Sequence, residues 1–104
     1  MAQSLGIFVT SDKYMNHILG ITKAAKAKGS DVTIFLTWKG TRLAKDPQFP
    51  ELCSLAKVDI CADSYKKMGW DPQTDIPEGL TDKNMSTQAK HGYIIDECDK
   101  YISL

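Results

Sequence analysis

The sequence predicts an α/β domain, a three-layer α/β/α arrangement around a mostly parallel sheet of four to five strands. Three observations predict it. Two continuously apolar runs, Leu5–Thr10 and Val32–Thr37, are separated by one amphipathic helical pattern. A third, shorter run, Lys57–Ile60, is followed at once by a helical segment. No glycine- or proline-rich linker divides the 104 residues, which suit one domain with one core.

The first run, Leu5-Gly6-Ile7-Phe8-Val9-Thr10, is apolar at every position. Such a run reads as a strand buried on both faces, as in a parallel sheet. Ser11 and Asp12 then offer side-chain caps for a helix. Tyr14, Ile18, Ile21 and Ala25 recur on one helical face, and Met15, Leu19 and Thr22 widen it. Lys23, Lys26 and Lys28 crowd the last turns and Gly29 stops the helix. Val32–Thr37 is the second strand, so the first 37 residues read as a βαβ unit with a right-handed crossover.

Trp38 to Pro50 is less regular, with Lys39–Arg42 as a loop or a short helical turn. Glu51–Ala56 reads as a short helix leading to the third strand, Lys57–Ile60. Ala62–Met68 is a short helix stopped by Gly69. Trp70–Asp82, with Pro72, Pro77 and Gly79, reads as a loop of a length more often functional or mobile than connecting. A helix is expected from about Asn84 to Asp99, and a closing strand over Tyr101–Leu104.

Composition excludes several function classes. Hydrophobic residues are 42% and charged residues 25%, and Lys plus Arg (13) balances Asp plus Glu (13). Zero net charge argues against nucleic acid or an anionic membrane as partner. No apolar run reaches the roughly 20 residues that cross a bilayer. The first residues have no basic, apolar leader pattern, so a cytoplasmic location is expected. Three cysteines at irregular spacing (Cys53, Cys61, Cys98) form no disulfide framework, which suits a reducing compartment. No CxxC and no zinc spacing occur, and Thr10–Tyr14 has no glycine for a dinucleotide or flavin phosphate loop. No cofactor and no metal are therefore expected. His17 and His91 fall in helices with nothing converging on them.

In open parallel sheets, ligands bind outside the carboxyl ends of the strands. Ser11, Trp38 with Lys39, and Cys61 all follow such ends. Cys61 closes the third strand and opens the next helix, where backbone N–H groups favour a thiolate, the reactive form. Asp63, one turn into that helix, opposes the thiolate, whereas Lys39 or Arg42 would favour it. Trp38 and Trp70 either wall a pocket around Cys61 or cap the core or an oligomer interface. Ser11 is either a donor to the sulfur or an N-cap. Cys53 and Cys98 read as packing residues.

Two segments carry a family resemblance. Asp59-Ile60-Cys61-Ala62-Asp63-Ser64-Tyr65-Lys66-Lys67-Met68-Gly69 has an apolar residue, a cysteine, a small residue and a basic pair before glycine. Cys98-Asp99-Lys100-Tyr101-Ile102-Ser103-Leu104 has an acidic and a basic residue before a last strand. In these and in element order, the chain resembles the DsrE/TusD (DsrE/DsrF/DsrH) small sulfur-relay proteins. The resemblance implies a DsrE-like fold, a persulfide on Cys61, sulfur-donor and sulfur-acceptor proteins as partners, and a homo- or hetero-oligomer. The chain departs from the pattern at Asp63 and Ser64, where relay subunits carry small apolar residues, and in being shorter than those subunits. Two functions stay open: a sulfurtransferase-type carrier, or a non-catalytic oligomeric or ligand-binding subunit in which Cys61 is structural. A general thiol redox protein is weakened by the lack of a resolving cysteine.

Overall fold

The fold comes from a computed structural model, which describes residues 4–86 and 98–104. Five parallel strands form one sheet in the order β4-β3-β2-β1-β5. They are β1 (Ser4–Val9), β2 (Asp31–Leu36), β3 (Lys57–Cys61), β4 (Met85–Ser86) and β5 (Lys100–Ser103). Among the described residues the α-helices are α1 (Met15–Ala27), α2 (Phe49–Leu55) and α3 (Ala62–Lys67). The parallel α/β class is therefore as the apolar runs require.

Strand alternation sorts the side chains into two faces. Ile7, Val9, Ile34, Leu36, Val58 and Ile60 lie in register on the first face. They join one core with Met15, Ile18 and Leu19 of α1, Phe49 and Leu52 of α2, and Tyr65 of α3. All three helices thus cover that face. The opposite face carries Phe8, Phe35, Asp59, Cys61 and Tyr101. Phe8 and Phe35 stack there with centroids 5.9 Å apart.

Several elements differ from the sequence reading for clear reasons. Helix α1 begins at Met15, after Tyr14, with no side-chain cap. Asp12 is instead held by Arg42 at 3.1 Å, and Ser11 accepts a hydrogen bond from the Lys13 N–H. Trp38–Lys45 is a 3₁₀ segment, which takes the helical of the two readings of Lys39–Arg42 and lengthens it, with Leu43 and Ala44 in the core. Gly40 makes it fit: a Cβ there would lie 2.4 Å from the Val9 carbonyl oxygen. Met85–Ser86 is a strand paired with Ile60 and Cys61, so no helix starts at Asn84. Residues 87–97 of that expected helix, including His91, lie outside the described residues.

The segment after Trp70 is tied to the core. Lys45 Nζ bonds Asp75 Oδ1 at 2.8 Å and sits 5.4 and 5.1 Å from the Tyr65 and Trp70 ring centroids. The Tyr65 hydroxyl donates to the Asp75 carbonyl oxygen. Burial acts to lower the Lys45 pKa, but the bonds to Asp75 and Tyr65 outweigh it and leave it raised. An ammonium so placed is attracted by both ring faces as well as by the carboxylate.

Among the described residues, no helix is long and apolar enough to cross a membrane.

Candidate functional site at the carboxyl edge

Three strands of the sheet deliver their following residues to one edge, where a fourth also ends. β1 leads to Thr10 and Ser11, β2 to Thr37, Trp38 and Lys39, and β3 to Cys61 and Ala62; β4 ends beside them at Ser86. The strand order reverses between β1 and β5, where open α/β sheets place their ligand crevice. There the Thr10 N–H donates to the Leu104 carbonyl at 3.1 Å and the Leu104 N–H to the Phe8 carbonyl at 2.8 Å. Ser11 lies at this reversal, two strands away from Cys61.

Cys61 is the last residue of β3 and the N-cap position of α3. Its side chain makes no capping bond to the helix and is only 2% exposed, packed with Phe35 on the second face. The sequence left the exposure of this thiol open, and the structure buries it without a bond to the helix N–H groups. The reason is the period of two: Cys61 shares its face with Phe35 and Asp59, not with the first-face residue Ile60.

Asp59 is a site residue that the sequence reading passed over. It is 4% exposed, two positions before Cys61 on the same face. The Asn84 amide donates to Asp59 Oδ1 at 3.3 Å and to the Val58 carbonyl at 3.0 Å. Its sequence signal was visible: a carboxylate inside an otherwise apolar strand needs partners when buried.

The other expected site residues divide. Trp38 stays on the edge, exposed, with a left-handed backbone at φ 52°. Lys39 and Asp63 are exposed beside it on the edge and on the first turn of α3. Thr37 and Ser64 share a buried hydroxyl–hydroxyl hydrogen bond of 3.0 Å, which ties the end of β2 to α3. Trp70 instead packs on the first-face core, 5.2 Å from the Tyr65 ring. It lines a cleft of about 490 Å³ with Lys66, Asp71 and Gln73. A neighbouring cleft of about 510 Å³ is lined by Ala62, Pro72, Gln73 and Met85, next in chain to Cys61.

Cys53 stands apart from Cys61 in the fold. A disulfide needs Cα atoms closer than about 7 Å. Cys53 lies in α2, which enters β3 at its amino end, so about 13 Å of strand separates it from Cys61. Cys98 precedes β5 and packs against the cluster of Phe35 and Cys61 on the second face. Burial pushes the Cys53 thiol up to about 11. Among the described residues, no group of three His, Cys, Asp or Glu side chains is arranged to hold a metal ion.

No family model matches the chain, and neither the curated proteins nor the solved structures contain a significant match.

Proposed function

We propose that this chain is a monothiol sulfur carrier with Cys61 as its sulfur-bearing residue, working in a reducing cytoplasm with donor and acceptor proteins. The observation that carries the reading is the position of Cys61. It ends a central strand at the ligand edge of a parallel sheet, packed with Phe35 on the second face. A persulfide relay needs one such thiol and an acceptor thiolate to take its outer sulfur. The likeness of the Asp59–Gly69 segment to the DsrE/TusD pattern points the same way.

The chemistry is redox-neutral. On loading, the Cys61 thiolate attacks the outer sulfur of a donor persulfide. A new S–S bond forms at Cys61, the donor's S–S bond breaks, and the donor leaves as a thiolate. On delivery, an acceptor thiolate attacks the outer sulfur and Cys61 leaves as the thiolate. A hydrophobic wall such as Phe35 shields the loaded sulfur from water and from small thiols.

A second reading has its own observation. A thiol exposed by only 2% behaves as a small core residue. Cys61 would then be structural, and the function would lie in oligomerisation or in ligand binding at the strand edge.

Single-turnover transfer separates the two. Protein preincubated with polysulfide and freed of excess is mixed with a thiol acceptor, and sulfane sulfur on the acceptor is measured. The carrier delivers sulfur and Cys61→Ser delivers none. Equal delivery by wild type and Cys61→Ser, or none by either, supports the structural role.

A further inference from the structure

Among the described residues, the two exposed large hydrophobic side chains are Tyr14, 39% exposed, and Trp38, 53% exposed. Both stand on the carboxyl edge, on the neighbouring connections that follow β1 and β2. Each has an exposed lysine beside it in the chain, Lys13 and Lys39. The two connections are clamped together by the Arg42–Asp12 pair at 3.1 Å.

Trp38 is held outward against its own backbone preference. A left-handed φ of 52° is an outlier for a bulky residue. Three bonds over-determine it. The Thr37 N–H donates to the Val9 carbonyl at 2.9 Å, the Gly40 N–H to the Thr37 carbonyl at 2.9 Å, and the Thr41 hydroxyl to the Trp38 carbonyl at 2.8 Å. Strain of this kind persists only where the surroundings enforce it, and it clusters at sites of use. Exposed tryptophan and tyrosine are the residues that most often anchor protein interfaces.

We infer that Tyr14, Trp38, Lys13 and Lys39 form a docking surface for an acidic segment of a partner protein. The two aromatic side chains supply the apolar anchor, and the two exposed lysines select negative charge. A phosphate backbone fits less well, because Asp12 and Asp63 interrupt the basic residues on this edge. The Thr37–Ser64 bond joins the patch to α3, whose first residue follows Cys61. The surface therefore lies where an acceptor must sit, and its meaning as an acceptor site rests on the carrier reading. Docking itself needs no sulfur.

Fluorescence anisotropy of a labelled glutamate-rich peptide with a central Leu-Leu pair tests this on the full chain. A lysine-rich counterpart and an oligouridylate RNA serve as comparisons. The expected result is saturable binding of the acidic peptide that weakens with salt. Trp38→Ala should weaken it about tenfold or more, and Lys39→Glu should weaken it as well. Lys39→Glu is a surface change and decides the matter if Trp38→Ala misfolds. Cys61→Ser should bind as wild type does. Equal binding of the lysine-rich peptide, tighter binding of the RNA, or indifference to both substitutions overturns the inference. So does self-association that buries Trp38, which makes a second copy the occupant. Docking with failed sulfur transfer counts against the carrier alone; transfer without docking counts against this surface alone.

Discussion

Both faces of the sheet are buried at its centre, but they are chemically different. On β2, Ile34 points to one face and Phe35 to the other, and both are fully buried. The strand residues of the first face are aliphatic, and all three described helices cover them. The second face mixes stacked phenylalanines, a tyrosine, a carboxylate and the Cys61 thiol. Burial alone therefore does not tell packing from chemistry; which polar groups a face retains does. A fold that needed only a second apolar layer would gain nothing from Asp59, whose burial requires partners such as Asn84.

The largest effect that sharpens this contrast comes from one truncation on each face. Phe49→Ala and Phe35→Ala should each cost about 3–5 kcal/mol in urea unfolding, since both rings are fully buried. Only Phe35→Ala should also speed native-state alkylation of Cys61 beyond what its loss of stability explains, because Phe35 packs with that thiol. Equal acceleration in both variants would erase the difference between the faces.

Next in size is the tie over Trp70. Lys45→Ala removes one partly exposed ion pair and two ring contacts, and should lower stability by about 1–2 kcal/mol. Limited proteolysis should then cut first between residues 70 and 82. Cys61 chemistry should be unaffected, as this tie belongs to the first face.

A smaller effect separates the thiols by pH. Cys53 is raised by burial from 9.0 to about 11, so its folded form holds a proton that the unfolded form releases earlier. Its contribution to stability is complete below pH 9 and is lost as pH rises from 9 towards 11. Cys53→Ala should flatten that part of a stability–pH curve, and wild-type Cys53 should alkylate slowly until the pH approaches 11. Unchanged curvature in Cys53→Ala would remove this thiol from the account.

The smallest concerns Thr22 on α1. Its hydroxyl is fully buried and has no hydrogen-bond partner among the described residues. Thr22→Val keeps the shape and removes the unmet group, so thermal melting should hold or rise by up to about 1 kcal/mol of stability. A clear loss would mean that the hydroxyl has a partner such as bound water.

The parallel sheet was legible in the sequence because Leu5–Thr10 and Val32–Thr37 are apolar at consecutive positions, which only a strand covered on both sides tolerates. Elements shorter than two turns were less so. Met85–Ser86 has no periodicity to detect, and the 3₁₀ form of Trp38–Lys45 depends on Gly40 closing on Val9, a contact distant in sequence. At the site, chain order correctly put Ser11, Trp38, Lys39 and Cys61 after strand ends. It could not tell how far apart they stand: Ser11 lies at the reversal beside β5, and Trp70 turns to the opposite face from Cys61. Nor did it reveal that the alternation of β3 turns the thiol inward with Asp59.

The most direct measurement is intact mass after exposure of the folded protein to a polysulfide donor, followed by peptide mapping. The carrier account predicts one or more added sulfur atoms, removed by reductant, mapped to the peptide bearing Cys61 and absent from Cys61→Ser. Sulfur found only on Cys53 or Cys98, or none under conditions that load an authentic carrier, would contradict it.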